Sequence, residues 1–378
     1  MIELGPEDTS EPSPGFSFMQ SGFWADFKGL GGWSSQRYSF IWKDESGSQQ
    51  ARGRVQVLLR QLGGPFSFAY VPAGPIVDLP SPSRGPLLRE LALALRPRFP
   101  HLCLFIRFDP PWFEEGRIPF PSFEHVDRDS PEKKPASDAS IDRPRFTPWL
   151  RKAIGDVQPP DSVILALGPT EGELLASMKP KWRYNIKLSE KKGIVVTSEG
   201  PDSLSAFYEL YEKTSRRDRI AIHPLSYYTG LFECARAQKG GIQPDLRLWF
   251  ARHEGEALAS IITLFHGNRA TYLYGASADE KRSFMPAYAL QWAAIRAAKV
   301  TGCVEYDFYG VPPTDNPGHP MAGLRRFKTG FGGRVVHYAG SWDLPFYPIM
   351  YKAWRTAEGT RNWWYKVALK AIGRAGTA

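Results

Sequence analysis

The chain has 378 residues, 42% of them hydrophobic and 13% aromatic, which is typical of an ordinary globular protein with two domains. Its formal net charge of +9 favours polyanionic partners such as nucleic acid, nucleotide diphosphates or anionic lipid surfaces. The three cysteines, Cys103, Cys234 and Cys303, lie far apart in the sequence, which argues against a disulfide framework and a structural zinc site. Because the N-terminal residues do not resemble a signal peptide and no apolar run approaches the ~20 residues of a membrane span, we expect a cytoplasmic protein.

The first half of the chain alternates strand and helix patterns. Alternating hydrophobic residues predict strands at 52–60 and 66–70, and an amphipathic helix is predicted at 86–96. An apolar strand at 101–108 then ends at Asp109, which two prolines follow.

The second half repeats this order. We predict strands at 248–253, 257–266 and 270–274, a break at Gly275, a helix at 286–300 that begins with proline, and a strand at 303–309. The series of strand, strand, turn, helix and strand therefore occurs twice, which predicts an α/β (α+β) protein with two similar units.

A polar segment separates the two halves. Residues 114–156 are rich in Pro, Asp, Glu, Lys and Ser, and we predict an insertion or mobile loop that carries no catalytic group. Thr170 and Glu173 have the spacing of a capping box, and residues 202–216 carry apolar side chains at helical spacing. We expect these helices to open the second domain.

A basic helix is predicted at 178–193, with Gly193 as its C-cap. Basic residues recur at every fourth position and share one face: Lys179, Arg183, Lys187 and Lys191. Trp182, Ile186 and Ser189 point to other faces. A one-sided cationic stripe suits a polyphosphate ligand, and a solvated surface is the alternative interpretation.

Two further segments near the C-terminus have a distinctive composition. Residues 324–333 combine Lys328 with several glycines, which predicts a cationic turn whose glycines permit close approach of a ligand. From Leu344 onward the chain is aromatic and basic. This tail either packs on the first domain or forms an interfacial helix that contacts an anionic membrane from the cytoplasmic side.

Seven motifs, taken together and in order, resemble the FemABX family of non-ribosomal peptidyl transferases. They lie at 18–28, 70–75, 105–110, 158–162, 181–186, 272–277 and 327–332. The resemblance implies two tandem acetyltransferase-like (GNAT-like) domains: residues 1–157 plus 341–378, which hold the precursor, and residues 158–340. A long heptad hairpin is absent from the second half, so the chain resembles the family members that lack a coiled-coil arm.

The family resemblance also implies a reaction. Members transfer an amino acid from an aminoacyl-tRNA to the stem-peptide amine of a peptidoglycan precursor, which is carried on UDP or on a lipid pyrophosphate. Attack of an amine on an activated ester requires positioning, a route for one proton and a cation near the oxyanion. The resemblance assigns the catalytic positions to Lys328, with its neighbour Phe327, and to Asp109. Surface and turn roles for these residues are the alternatives.

Other matching positions are expected to bind the precursor. Lys28 corresponds to a lysine that contacts phosphate, and Tyr272 and Tyr274 are two residues apart on a strand, so they are expected to share a face that lines the precursor channel. His223 precedes Tyr227 where the family commonly has an arginine, so phosphate binding there depends on protonation. We therefore include Arg217 and Arg219 as candidates that compensate for this difference.

The basic helix supplies the candidate nucleic-acid contacts, Lys179, Arg183 and Lys187. No histidine spacing typical of a metal site, no serine-hydrolase motif and no dinucleotide loop is present, so we expect no cofactor besides aminoacyl-tRNA as co-substrate. Two alternatives remain at this point. One is an acyl-CoA-dependent N-acyltransferase, since a fold does not determine a function, and the other is a non-catalytic RNA-binding protein.

Overall fold

The computed structural model describes residues 1–7, 15–43, 48–113 and 149–375, with side chains as far as Arg361. Within these residues the strands are β1 (Ile2–Glu7), β2 (Trp33–Lys43), β3 (Gln49–Gly63), β4 (Phe66–Val71), β5 (Cys103–Phe108), β6 (Arg151–Lys152), β7 (Asp161–Ala166), β8 (Val195–Glu199), β9 (Asp245–His253), β10 (Glu256–His266), β11 (Arg269–Ser277), β12 (Glu305–Asp307), β13 (Arg334–His337) and β14 (Trp342–Pro345).

The helices are α1 (Gly22–Leu30), α2 (Ser81–Leu95), α3 (Glu171–Ser177), α4 (Pro180–Lys191), α5 (Leu204–Asp218), α6 (Leu225–Ala237), α7 (Pro286–Val300), α8 (Ala322–Thr329) and α9 (Pro348–Ala375). In the part of the chain that the structure describes, no helix is both long and apolar enough to cross a membrane.

Two seven-stranded sheets share one plan. The first has the strand order β1-β2-β3-β4-β5-β14-β6, and the second has the order β13-β7-β12-β11-β10-β9-β8. In each sheet one neighbouring pair is parallel, β4 with β5 and β11 with β12. A helix connects each of these pairs, α2 in the first sheet and α7 in the second, because parallel neighbours need a long crossover. The predicted α/β fold with two similar units is confirmed.

Each sheet buries its own hydrophobic core. In the first core, α2 residues such as Leu88 and Leu91 pack against Val57 and Ile106 of the sheet. In the second core, Trp182 of α4 and Ile295 of α7 belong to one buried cluster with side chains of the second sheet.

A separate cluster joins the two units. Phe23 and Phe27 of α1 are buried with Leu231 of α6 and Leu264 of β10. Because each unit contributes large apolar side chains, this contact holds the two sheets in a defined relation. The candidate site lies along this contact.

Several element boundaries differ from the sequence prediction. The helix predicted at 86–96 begins earlier, at Ser81, and β11 continues through the expected break at Gly275 as far as Ser277. The strand predicted at 303–309 is restricted to β12. Thr170 forms the predicted capping box with Glu173, and Gly193 has the positive φ expected after the basic helix.

The polar segment is mostly outside the described residues. Of the predicted insertion at 114–156, residues 114–148 are not described. The remainder is not all loop, because β6 pairs with β14 at the edge of the first sheet.

The described part of the C-terminal tail packs on the first unit. The strand β14 pairs with β5, and Tyr351 of α9 is buried against Phe105. Arg107 of β5 is also buried, and its guanidinium donates hydrogen bonds to Asp343 at 2.7 and 2.9 Å and to Glu358 of α9 at 3.0 and 3.1 Å. Packing on the first unit is therefore correct for this part of the tail. The aromatic and basic residues at 363–370 lie beyond the described side chains.

Candidate active site

Lys328 is a buried lysine at the end of a helix. Its side chain lies on α8, only 6% of its surface is exposed, and its Nζ donates hydrogen bonds to the carbonyl oxygens of Tyr309, at 2.6 Å, and Gly310, at 2.9 Å. Its Nζ also lies 5.1 Å from the ring centre of Tyr272. Burial lowers the pKa of Lys328 to about 7, although the negative charge of Asp307 favours the ammonium. The charge of Lys328 therefore titrates near neutral pH.

The predicted cationic turn at 324–333 is wrong in its first part, since Lys328 belongs to the helix α8. The glycines after it serve internal packing and not the approach of a ligand. A Cβ added at Gly330 would lie 2.1 Å from the Trp182 ring, and one at Gly332 would lie 2.5 Å from Ser177 Oγ. The missing side chains let the segment after α8 pack closely on Trp182 of α4 and on Ser177 at the end of α3.

Phe327 fixes α8 from the other side. Its ring packs at 5.2 Å from the Tyr288 ring and 5.3 Å from the Phe331 ring. Its carbonyl oxygen accepts a hydrogen bond from Nε1 of Trp182 at 2.9 Å. The contacts of Phe327 therefore hold the helix that carries Lys328.

Asp109 is a buried carboxyl that follows β5. Its two oxygens accept hydrogen bonds from the hydroxyls of Tyr70 and Ser341, and 7% of its surface is exposed. Burial raises the pKa of Asp109 to about 6, while the two hydroxyl donors favour the carboxylate. A carboxyl with such a pKa accepts and releases a proton near neutral pH.

A chain of hydrogen bonds connects Asp109 to Lys328, which are not in direct contact. Gln158 donates to the hydroxyl of Tyr70 at 3.3 Å and accepts from the hydroxyl of Tyr309 at 2.5 Å. The carbonyl of the same Tyr309 accepts from Lys328. Tyr309 has a left-handed backbone, with φ 55°, which directs its side chain and its carbonyl to different partners.

No role was predicted for Tyr70, Gln158, Tyr309 or Ser341. Two of them could have been identified from the sequence, because Tyr70 and Gln158 each begin a motif that resembles the family. Tyr309 and Ser341 lie outside those motifs. Tyr309 contacts Gln158 of the connecting segment, and Ser341 contacts Asp109 because β14 pairs with β5 in the first sheet.

A second group of predicted residues meets at the contact between the units. The ring of His223 stacks on Tyr227 at 3.9 Å, and Tyr227 packs 4.8 Å from Phe27 of α1. The hydroxyl of Tyr274 donates to the hydroxyl of Tyr227 at 3.4 Å. Lys28 of α1 lowers the pKa of His223 through its charge, an effect that adds to the larger effect of burial. Lys28, His223, Tyr227 and Tyr274 therefore form one pocket, which we call the lysine-tyrosine pocket.

Arg60 supplies a second cation beside this pocket. Its guanidinium lies 5.1 Å from the Trp33 ring, and Lys28 Nζ lies 5.8 Å from the same ring. Burial and the charge of Arg60 both lower the pKa of Lys28. Because the pKa of His223 is also lowered, positive charge in this region comes from Lys28 and Arg60. No motif or residue spacing indicated a role for Arg60.

Arg217 and Arg219 lie at the end of α5, and their role in phosphate binding stays a prediction. The guanidinium of Arg217 bonds Asp218 at 2.8 Å, Asp279 at 3.0 Å and the carbonyl of Ser277 at 2.9 Å, so it ties α5 to β11. Arg219 is exposed and ends α5 in a left-handed conformation.

The prediction that Tyr272 and Tyr274 share a face is wrong. In β11, Tyr274 pairs with Ile262 and Tyr272 with Thr263, so Leu273 is an extra residue that forms a bulge. The bulge turns the two tyrosines to opposite faces. Tyr272 lies beside Lys328, and Tyr274 lies in the lysine-tyrosine pocket.

The basic helix presents only part of its predicted stripe to solvent. Lys179 and Lys187 are exposed, whereas Arg183 folds back and donates to the carbonyls of Met178 and Ala176. Trp182, Ile186 and Ser189, which were predicted to point away from the stripe, are buried. Lys179 also lines a cleft with Arg325 and Arg326 of α8. A cationic surface therefore extends from α4 to the helix that carries Lys328.

Within the described residues, no group of three or more metal-binding side chains is present. The charged groups of the site are the buried Asp109 and Lys328, the lysine-tyrosine pocket with Arg60, and the cationic surface of α4 and α8. Such an arrangement is suited to two anionic molecules beside two groups that titrate near neutral pH.

Comparison with known proteins identifies the family. The sequence model of the FemAB family matches residues 9–235 and 250–359. The chain belongs to the FemAB family. Among its relatives, the lipid II:glycine glycyltransferase of Staphylococcus epidermidis is 23% identical over 400 residues, which cover 90% of this chain and 91% of the relative. The enzyme of that name from Staphylococcus aureus is 21% identical over 407 residues, which cover 89% of this chain and 91% of the relative.

A solved structure shows the same fold. The crystal structure of FemX matches with a TM-score of 0.69 and 18% sequence identity, and the match covers 93% of this chain and 100% of FemX. The family resemblance and the α/β fold that the sequence predicted are thus both confirmed.

Proposed function

We propose that this FemAB family member is an aminoacyltransferase. In the proposed reaction it transfers an amino acid from an aminoacyl-tRNA to the side-chain amine of the stem peptide of a peptidoglycan precursor and so forms an interpeptide bridge. The names of the relatives support the acceptor class, since they are glycyltransferases that act on lipid II. The observation that carries the proposal is the hydrogen-bonded chain from Asp109 to Lys328. Two separate cationic surfaces belong to the same site.

In the proposed reaction, the amine nitrogen attacks the ester carbonyl carbon and Asp109 accepts the proton that the amine loses. Lys328 has three N–H groups and uses two for the carbonyls of Tyr309 and Gly310, which leaves one for the oxyanion. The ester C–O bond then breaks, and the leaving ribose oxygen takes up the proton that Asp109 accepted, which restores the carboxylate. No covalent enzyme intermediate is required.

The two cationic surfaces suit two different anions. The lysine-tyrosine pocket, with Lys28 and Arg60, is suited to the diphosphate of the precursor, because lysine binds phosphate as a compact charge. The surface of α4 and α8, with Lys179 and Arg326, is suited to the acceptor stem of the tRNA, which leads its 3′ end toward Lys328. Contact of the C-terminal tail with an anionic membrane stays a prediction.

The test is a transfer assay with purified protein. A mixed pool of tRNAs charged with labelled amino acids is the donor, and a UDP-linked or lipid-linked stem pentapeptide is the acceptor. We expect label in the acceptor, and we expect at least a 100-fold loss for Lys328→Ala. Lys239→Ala, which changes an exposed lysine, serves as the matched control and keeps its rate.

The same assay with acyl-CoA donors examines the alternative reaction. Consumption of an acyl-CoA, together with no transfer from any charged tRNA, would replace the proposal with an N-acyltransferase. Salt-sensitive RNA binding without turnover of either donor would support the RNA-binding alternative.

A further inference from the structure

A cavity of about 100 Å³ lies beside Asp109, between the two units. Apolar side chains from the first unit and the connecting segment form one wall, among them Phe18, Pro110 and Pro159. The second sheet supplies polar residues, including His266, Thr271 and Asp307. The cavity is therefore suited to a short aliphatic chain with a polar end, and it reaches the carboxyl that accepts the proton in the proposed reaction.

His266 is the unusual residue of this cavity. It ends β10, 4% of its surface is exposed, and neither ring nitrogen has a hydrogen-bond partner among the described protein atoms. Burial lowers its pKa to about 4, so the imidazole is neutral near pH 7. A neutral imidazole has one N–H donor and one nitrogen acceptor. Leaving such a group buried without a partner is unfavourable, which calls for a functional explanation.

The charges around the cavity favour a cation. Asp109 and Asp307 both line it. Among the described lining residues, Arg269 supplies a guanidinium, which bonds the carboxylate of Glu305 at 2.8 Å. The charge of Asp307 acts on Arg269 and on Lys328, whereas Asp109 accepts hydrogen bonds from two neutral hydroxyls, so the Asp109 carboxylate is the group that favours a cation at its end of the cavity.

We propose that this cavity binds the primary alkylammonium group of a substrate and that His266 is the residue that positions it. The free imidazole nitrogen accepts one N–H of the amine, and the apolar wall packs against the carbon atoms next to it. The inference rests on the proposed function and deepens it, because both substrates of that reaction carry a primary amine. The amine belongs either to the stem-peptide side chain or to the amino acid on the tRNA.

Steady-state kinetics with His266→Leu distinguish these two sources. Leucine is close to histidine in volume and has no polar atoms. A rise of at least tenfold in the KM for the acceptor, with an unchanged KM for the charged tRNA, assigns the amine to the stem peptide. The reverse pattern assigns it to the donor amino acid. His266→Gln, which keeps an acceptor atom, is expected to recover at least a third of the lost kcat/KM.

Stability provides the readout that separates a binding role from a structural one. Because His266 has no hydrogen-bond partner among the described residues, His266→Leu is expected to raise the melting temperature while it lowers activity. An unchanged KM for both substrates overturns the proposal, and so does failure of both variants to fold, since His266 is then a structural residue.

A binding experiment tests the cavity independently of the proposed transfer reaction. Calorimetric titration of the wild-type protein with pentylamine at millimolar concentration, with pentanol as the uncharged control, measures the cavity without any transfer reaction. Binding of pentylamine that His266→Leu weakens at least fivefold supports the cavity even if no transfer occurs from charged tRNA. Equal binding of pentylamine by both proteins, or no binding, contradicts it.

Discussion

The replacement Lys328→Arg tests the role of a titrating cation beside the reacting centre. Burial brings the pKa of Lys328 to about 7, whereas a guanidinium keeps its proton at all pH values of an assay. At a pKa of about 7, the lysine is about 90% protonated at pH 6 and about 3% protonated at pH 8.5. If only the ammonium stabilises the oxyanion, the wild-type rate falls about 30-fold over this range through Lys328 alone.

The assay is kcat/KM for transfer from charged tRNA at pH values from 5 to 9, for the wild type and for Lys328→Arg. The substrates titrate identically with both enzymes, so the ratio of the two rates isolates residue 328. We expect the ratio of wild type to variant to fall about 30-fold between pH 6 and pH 8.5. The absolute rate of the variant is lower, because arginine does not fit the two carbonyl acceptors in the same way.

On the acid side, the raised pKa of Asp109, about 6, limits the wild-type rate. The carboxylate that accepts the proton is present above this pKa and is lost as the pH falls through it, so the rate declines below pH 6. Asp109→Asn is expected to lower the rate and to remove this decline. The reasoning about Lys328 is refuted if the rate ratio changes by less than threefold between pH 6 and pH 8.5 while both proteins remain folded.

Three other changes test the fold and the pocket. Arg107→Leu leaves buried carboxylates such as Asp343 without a counter-charge, and we expect a loss of about 3–5 kcal/mol in the free energy of unfolding, measured by denaturant titration. Gly330→Ala forces a Cβ against Trp182, and we expect a loss of about 1–3 kcal/mol in the same measurement, with reduced kcat because α8 shifts. Lys28→Met is expected to raise the KM for the precursor at least tenfold and to leave the KM for charged tRNA unchanged.

Two of these changes have a matched control. For Gly330→Ala the control is Gly323→Ala, which lies on α8 with no atom within 4 Å of the added Cβ, so its stability should stay within about 0.5 kcal/mol of the wild type. Lys239→Met changes an exposed lysine and should leave both KM values as they are. A Lys28→Met enzyme with a normal KM for the precursor would remove the lysine-tyrosine pocket from the binding site.

The sequence predicted the arrangement of the fold because its patterns are local. The order of strands and helices, the capping box at Thr170 and the buried face of α4 at Trp182 all follow from the spacing of residues along the chain. The pocket formed by Lys28 and Tyr227 came from the family resemblance. These residues lie almost 200 positions apart, and no periodic pattern connects them.

The sequence predictions were wrong where a single residue changes the register of a strand or the packing of a helix. Alternation places Tyr272 and Tyr274 on one face, but the bulge at Leu273 reverses one of them. The glycines near Lys328 suggested a ligand loop, and Gly330 is instead required by the ring of Trp182. Such contacts depend on which side chains meet in three dimensions.

The hydrogen-bonded chain from Asp109 to Lys328 could not be predicted from the sequence for a related reason. It requires Tyr70 of the first sheet, Gln158 of the connecting segment and Tyr309 after β12 to meet at the contact between the units. Each of these side chains is ordinary in its own segment. Tyr70 and Tyr309 both belong to the cluster in which α1 packs against α6.

The most direct test of the proposed function is mass spectrometry of the acceptor after incubation with the wild-type protein and charged tRNA. The account predicts a mass increase of one amino-acid residue on the stem peptide, and fragmentation should place the new peptide bond on the side-chain amine. An acceptor of unchanged mass with every charged tRNA, or one that gains an acyl group only when an acyl-CoA is supplied, would contradict it.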